Sequence, residues 1–185
     1  IAPTLKNGLV IEISGKIVSE PYIKMTLNLM GYFGVYTKWD KNIITINHQE
    51  YIGKNIEIEK DWSAASFWFE IAALSEDCNI KLKKLHNNSI QGDKEIVKLF
   101  SNLGVNSNFT NEGVILRKMR RGNLPYSFDL INTPDLYQPL KCVLFALKLD
   151  REITGLKTLR NKETNRVIAV KSELQKLTST KIIET

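Results

Sequence analysis

Cysteine, histidine and proline are scarce in this chain, which has 2 Cys, 2 His and 5 Pro in 185 residues. Cys78 and Cys142 lie far apart, and His48 and His86 have no Cys or His at ligand spacing. The sequence therefore supports neither a disulfide framework nor a zinc site. We expect two isolated thiols in a reducing cytoplasm and no bound metal.

Long apolar runs are also missing. No stretch reaches the roughly 18 apolar residues of a membrane span, and the first residues lack the basic and apolar segments of a signal peptide. With 43% apolar and 25% charged residues, the composition is typical of a globular protein. We expect a cytoplasmic protein without a membrane partner.

Positive charge is in excess, with a formal net charge of +6. Such a surplus attracts anions, from nucleic acid to phosphorylated metabolites. Residues 117–121 (RKMRR) form a basic run. Because no aromatic residue interrupts the run and a predicted strand precedes it, a solvated strand edge is favoured over a nucleic-acid surface.

An internal repeat of about 70 residues organises the chain. Helices are predicted over residues 21–35, over residues 93–105 and from Glu163 onward, each with apolar positions at helical spacing. Hairpins follow the first two helices. The middle copy can be written in full as strand, helix, strand, helix, strand, strand, which predicts an α/β (α+β) fold of repeated βαβαββ units.

The other predicted elements lie between these helices. Residues 63–74 form a helix that is apolar almost all round, which predicts deep burial. The first copy has only its closing half and the third stops before its hairpin, so we expect a piece of a longer protein. The remaining predictions are a helix over 136–147 and strands over 35–39, 43–47, 55–59, 79–85, 114–116, 127–131 and 152–159.

A cationic cluster opens the third predicted helix. Arg160, Lys162 and Arg166 crowd a helix start, where the backbone dipole is already positive. The arrangement is favourable if an anion docks there, with Glu163 as a carrier of protons. The alternative is a solvated helix start in which Glu163 pairs with Arg166.

Two other segments carry candidate site residues. Asp135 stands at the head of a predicted helix, where an Asp is usually a cap or a partner of the helix dipole. Ser19 and Tyr22 flank Pro21 in a connection from strand to helix. Their hydroxyls could bind a ligand, and that of Ser19 could simply cap the helix.

Five blocks, in order, resemble the 5-enolpyruvylshikimate-3-phosphate synthase (3-phosphoshikimate 1-carboxyvinyltransferase) family. They are residues 18–27 with 33–35 (VSEPYIKMTL and FGV), 59–66 (EKDWSAAS), 89–93 (SIQGD), 133–135 (TPD) and 162–166 (KETNR). Five ordered blocks are far more specific than one. The related transferase that acts on UDP-N-acetylglucosamine lacks a block similar to the last, which favours the shikimate family.

The resemblance implies the enolpyruvyl transferase fold, an inside-out α/β barrel of two lobes with three βαβαββ units each. Residues 1–59 would end one lobe, and residues 60–185 would form most of two units of the other. The implied reaction transfers the enolpyruvyl group from phosphoenolpyruvate to the 5-hydroxyl of shikimate 3-phosphate and releases phosphate. It needs no cofactor, and a monomer is expected.

Roles of single residues follow from the same resemblance. Asp135 is similar to the base that contacts the 5-hydroxyl, and Glu163 to the acid that protonates the phosphoenolpyruvate methylene. Lys162 matches a lysine that contacts shikimate 3-phosphate, and Arg166 an arginine that holds the phosphoenolpyruvate carboxylate. Two carboxylates in opposite protonation states suit this chemistry.

Ser19 resembles a hydroxyl that binds the shikimate phosphate, and Tyr22 an aromatic residue beside it. Asn165 replaces the usual Asp of the family, and Thr158 stands where many members have a substrate-binding Asn. Further ligand groups at both ends of the family pattern have no counterpart here, so we expect this piece alone to be inactive. The alternative from another class is a basic nucleic-acid-binding module built on a repeated α/β unit.

Overall fold

The computed structural model describes residues 1–180 of the chain. Contacts within the chain divide it into two units, the first being Ile1–Ile58 and the second beginning at Glu59. The assignment of these units to two lobes of a larger protein remains a prediction.

The first unit consists of one sheet and one helix. Its strands β1 (Leu9–Glu12), β2 (Thr37–Asp40) and β3 (Ile43–Ile46) form an antiparallel sheet in the order β1-β3-β2. Helix α1 (Glu20–Tyr32) packs its apolar side chains against the sheet, as its periodicity predicts. The small core consists of Val35, Ile44 and Ile46, with Ile23, Leu27 and Met30 of α1 packed against it.

The second unit is a mixed α/β structure. Its elements are α2 (Trp62–Leu74), β4 (Asn79–Lys83), α3 (Ile96–Ser101), β5 (Val105–Thr110), β6 (Gly113–Lys118), β7 (Ser127–Asp129), α4 (Tyr137–Ala146), β8 (Glu152–Thr154) and α5 (Arg166–Thr180). Strands β4, β5 and β6 form an antiparallel sheet in the order β4-β6-β5, and β7 pairs with β8 in parallel. Short 3-10 turns precede α3, α4 and the segment before α5.

One face of helix α2 is buried in the core of this unit. Trp62 and Phe69 are fully buried, and the Phe69 ring meets the Phe100 ring edge-on at a centroid distance of 6.1 Å. The prediction that α2 is buried all round was wrong, because Phe67 and Trp68 of its opposite face are 51% and 49% exposed. Composition reports how apolar a helix is, whereas burial depends on which neighbours cover each face.

Two predicted strands were wrong in whole or in part. Residues 55–59 form no regular structure and are mostly exposed, with no described strand paired to them. The strand predicted over 152–159 ends at Thr154, because Gly155 turns the chain with a φ of +77°. A Cβ at Gly155 would lie 2.2 Å from the Ile131 nitrogen, so only glycine fits this turn. A 3-10 turn, Lys157–Asn161, follows.

The 89–93 turn is tied to the start of α2. Gln91 accepts a 2.8 Å bond from the Trp62 amide and donates one of 2.9 Å to the Lys60 carbonyl. Asp93 is buried, and its carboxylate accepts a 2.5 Å bond from the Ser63 hydroxyl. Hydrogen bonds thus join two of the sequence blocks that resemble the family.

Both cysteines are free thiols, and they are only partly exposed. Burial, together with the neighbouring Glu70 carboxyl, raises the pKa of the Cys142 thiol to about 11. Among residues 1–180, no group of three or more His, Cys, Asp or Glu side chains could hold a metal ion. No helix in the same range is both long and apolar enough to cross a bilayer.

Candidate active site

Lys162 and Glu163 lie before helix α5. The helix begins at Arg166, because the Asn165 side chain caps it by accepting a 3.2 Å hydrogen bond from the Ile168 amide. The prediction of a helix from Glu163 was therefore wrong, and Lys162 does not belong to the helix that Arg166 begins. Lys162 has extended backbone directly after the 3-10 turn that ends at Asn161.

Asp135 lies in the 3-10 turn Pro134–Leu136, which leads into α4. Its carboxylate binds two cations: Oδ1 lies 2.7 Å from Arg166 Nη1, and Oδ2 lies 3.4 Å from Lys162 Nζ. The Asp135 side chain is 20% exposed and that of Arg166 is 22% exposed, so this pair is largely shielded from solvent. The role of Asp135 is thus to link α4 and α5, more than to cap a helix.

Glu163 is the exposed member of the group. Its Oε1 accepts a hydrogen bond from Arg166 Nε at 2.9 Å and lies 2.8 Å from Arg166 Nη2 in an ion pair. A hydrogen bond from the backbone of Glu163 itself, and then the Arg166 side chain, lower the pKa of the Glu163 carboxyl, and the nearby Lys162 charge adds to this. Glu163 is therefore ionised near neutral pH with these partners.

Arg166 bridges the two carboxylates, so these four side chains form one cluster, which we call the Arg166 cluster: Asp135, Lys162, Glu163 and Arg166. It contains two cations and two carboxylates, which neutralise each other. An incoming anion could take over the donors of Lys162 and Arg166 and leave either carboxylate free to take up a proton. The pairing of Glu163 with Arg166, expected for a solvated helix start, is present as well.

Two residues of the 3-10 turn before Lys162, Thr158 and Arg160, make none of the contacts that join these four side chains. Arg160 is not part of the Arg166 cluster and lines a pocket beside Lys157. The Thr158 hydroxyl is buried and finds no hydrogen-bond partner within residues 1–180. A buried hydroxyl without a partner is costly, and no pattern in the sequence predicts it beyond the absence of the usual Asn.

Ser19 and Tyr22 lie at the start of α1 in the first unit. Ser19 has a left-handed φ of +54°, and its carbonyl accepts a 3.0 Å bond from the Tyr22 amide. Its side chain makes no cap hydrogen bond to the helix, so the cap alternative for Ser19 was wrong. Both residues are partly buried. Their contacts with a substrate phosphate remain a prediction.

The signal for the Arg166 cluster was only partly present in the sequence. Glu163 and Arg166 are three residues apart, a spacing that commonly allows an ion pair near a helix start. The contact between Arg166 and Asp135 spans 31 residues of sequence. No local pattern predicts such a contact, which becomes visible only when the turn before α4 packs beside the start of α5.

Comparison with known proteins identifies the family. The profile of the EPSP synthase (3-phosphoshikimate 1-carboxyvinyltransferase) family matches residues 1–184. The chain belongs to the EPSP synthase family. A 3-phosphoshikimate 1-carboxyvinyltransferase of Bacteroides fragilis (strain YCH46) is 41% identical over 179 residues, and one of Methanosphaera stadtmanae is 30% identical over 181 residues. These alignments cover 96% and 94% of this chain, so the family resemblance is confirmed.

The chain spans less than half of these relatives, 43% of the Bacteroides protein and 42% of the Methanosphaera protein. A solved EPSP synthase structure from Acinetobacter baumannii superposes with a TM-score of 0.59 at 16% identity. The superposition covers 92% of this chain and 40% of that chain. It confirms the enolpyruvyl transferase fold class, and nothing in the comparisons favours the nucleic-acid-binding alternative.

Proposed function

We propose that a longer EPSP synthase containing this sequence transfers the enolpyruvyl group from phosphoenolpyruvate to the 5-hydroxyl of shikimate 3-phosphate. The observation that carries the proposal is the Arg166 cluster, in which two carboxylates from distant segments share one guanidinium. The reaction needs a base, an acid and cations for two anionic substrates. This cluster offers each of them.

Each residue has a separate role in this proposal. The Arg166 guanidinium binds the phosphoenolpyruvate carboxylate through its planar fork, and Lys162 binds the phosphate of shikimate 3-phosphate as a point charge. Asp135 takes the proton of the attacking 5-hydroxyl, and Glu163 protonates the methylene carbon of phosphoenolpyruvate. The resulting tetrahedral intermediate then loses a proton from its new methyl group and loses phosphate, which restores the double bond in the product. Ser19 contributes a hydroxyl to the shikimate phosphate, with Tyr22 beside it.

The guanidinium provides a means of setting the acidity of Glu163. Arg166 helps to keep the pKa of this carboxyl low. When a substrate carboxylate draws the guanidinium away, the Glu163 pKa rises, so Glu163 takes up a proton from solvent more readily and can pass it to the substrate. Substrate binding and the protonation of Glu163 are thereby linked through one side chain.

The proposal also covers where the longer protein acts and with which partners. The longer protein acts in the cytoplasm as a monomer on small anionic substrates, and it requires neither cofactor nor nucleic acid. The basic run at residues 117–121 contributes exposed surface charge. A DNA or RNA affinity that falls steeply with salt would instead favour the nucleic-acid alternative.

Phosphate release from shikimate 3-phosphate and phosphoenolpyruvate tests the proposal. In the full-length protein, Glu163→Gln should lower kcat roughly 100-fold or more while substrate affinity is largely kept. The control is Glu173→Gln, an exposed carboxylate on α5 that pairs only locally with Lys176. Equal rates for the Glu163 and Glu173 variants would refute the role of Glu163. The 185-residue chain alone should show no turnover.

A further inference from the structure

A second group of cationic side chains lines a pocket in the second unit. The pocket has a volume of about 540 Å³, and its walls are Arg121, Gly122, Asn123, Leu124, Leu149 and Arg151. We call it the Arg121–Arg151 pocket. Arg121 follows β6 and Arg151 precedes β8, so two separate segments supply its cations. No carboxylate lines the pocket, and neither arginine forms an ion pair within the described residues.

The wall that carries Arg121 is held by the backbone. The Met119 amide donates to the Gly104 carbonyl at 2.9 Å, and the Gly122 amide donates to the Asn102 carbonyl at 3.1 Å. A Cβ at Gly104 would lie 2.8 Å from the Met119 oxygen, so this close approach requires glycine. The segment after β6 is therefore fixed against the end of α3.

The opposite wall is fixed at the end of helix α4. Lys148 adopts a left-handed φ of +54°, and the Leu149 amide then donates to the Leu144 carbonyl at 2.8 Å. This arrangement is typical of a helix C-terminus whose last carbonyls are satisfied. Leu149 also packs against the core of the unit. Both walls are thus formed before any ligand arrives, which lowers the entropic cost of binding.

Arg151 has an unused donor at this position. Its Nη1 donates to the Asp150 carbonyl at 2.6 Å, whereas its Nε is buried and has no hydrogen-bond partner within residues 1–180. A buried N–H group of a cation that lacks an acceptor is strongly unfavourable. An anion in the adjoining pocket would neutralise the Arg151 guanidinium.

We infer that the Arg121–Arg151 pocket binds a small anion that carries a phosphate group. Two guanidinium groups match the geometry of a phosphate, and the Asn123 side chain can add a donor or an acceptor for the rest of the ligand. The volume suits a phosphate ester of a few carbon atoms. The inference does not depend on the proposed function, because none of the pocket residues belongs to the Arg166 cluster.

Nuclear magnetic resonance of the labelled 185-residue chain tests the inference at constant ionic strength. Inorganic phosphate and methyl phosphate, titrated separately, should produce saturable shifts at the Gly122 amide and at the Arg151 Nε–H. Arg151→Gln and Arg121→Gln should each weaken the affinity roughly tenfold or more, since each removes a charge-assisted hydrogen bond. Arg120→Gln is the control, because Arg120 is exposed and does not line the pocket.

The outcomes are distinct. Shifts that rise linearly and equal those caused by chloride would overturn the inference, as would tighter binding of malonate than of methyl phosphate. Saturation by methyl phosphate but not by inorganic phosphate would identify an ester as the ligand. Shifts at the Asn165 and Arg166 amides without any at Gly122 would support the Arg166 cluster and overturn this pocket. If Arg151→Gln does not fold, the exposed Arg121→Gln variant decides.

Discussion

Arg166 donates a 2.7 Å hydrogen bond to Asp135 and so joins the start of helix α5 to the turn that leads into α4. Both side chains are about one-fifth exposed. At that degree of burial the attraction is only partly screened, yet the removal of either partner leaves a charge with reduced solvation. This ion pair therefore links two helices, and its charged groups are also the ones proposed to bind substrate.

A double-mutant cycle measures how strong this link is. Asp135→Ala, Arg166→Ala and the combined variant should give a coupling energy of about 1 kcal/mol in urea unfolding. The control cycle uses Glu95 and Lys98, an ion pair whose lysine side chain is 83% exposed, and should give about 0.3 kcal/mol. Equal coupling in the two cycles would show that the burial of the Arg166 pair contributes nothing.

Glu163 should respond to the loss of its guanidinium partner. Arg166→Gln should raise the pKa of the Glu163 carboxyl part of the way to its ordinary value, because the backbone hydrogen bond that also lowers it remains. Titration of the labelled carboxyl carbon by nuclear magnetic resonance gives this pKa directly. Arg160→Gln should leave it unchanged, since Arg160 forms no hydrogen bond with Glu163 within the described residues.

The sign of the effect can be checked separately. A lowered pKa in the folded chain means that ionised Glu163 favours folding at neutral pH, and that this contribution is lost as the pH falls below the ordinary carboxyl range. Arg166→Gln should flatten that part of the stability profile. If the Glu163 pKa does not move in Arg166→Gln, the proposed control of its acidity by the guanidinium is wrong.

Sequence patterns predicted the elements that depend on local chemistry. The helical spacing of Ile23, Leu27 and Met30 correctly predicted α1 and the face that packs, partly buried, against the core. The predicted start of α5 was wrong. The prediction followed the run of charges and began the helix at Glu163, whereas the Asn165 side chain caps it two residues later. Cap residues decide helix boundaries more reliably than charge does.

Features that depend on distant partners could not be predicted in this way. A strand exists only where another strand pairs with it, and residues 55–59 find no such partner in the described chain. The Arg166 cluster was suggested by resemblance to a family, and its Asp135–Arg166 ion pair requires the turn before α4 to pack against the start of α5, 31 residues later. Resemblance suggested the residue roles, while the structure supplied the contacts.

The Asn165 cap should be worth a measurable part of the stability of α5. Asn165→Ala removes the hydrogen bond to the Ile168 amide and should lower the free energy of unfolding by about 1 kcal/mol. Asn165→Asp keeps an acceptor at this position and should restore stability to within a few tenths of a kcal/mol. Urea unfolding followed by circular dichroism compares the three chains. Similar losses in both variants would show that the side chain acts other than as a cap.

The orientation of helix α2 can be tested by one substitution made on its two faces. Phe69 is fully buried against Trp62 and Phe100, whereas Phe67, two residues earlier, is 51% exposed. Phe69→Ala should therefore lower the free energy of unfolding by about 3–5 kcal/mol, because it removes a core ring and leaves a cavity. Phe67→Ala should lower it by less than about 1 kcal/mol.

Chemical unfolding of both variants decides between burial on one face and burial all round. If Phe69→Ala proves too unstable to purify, Phe69→Leu should retain the fold at a smaller loss and still exceed Phe67→Leu. Equal losses at the two positions would mean that α2 is covered on both faces in solution. In that case the exposed side of α2 would have a partner outside residues 1–180, and the core described for the second unit would be incomplete.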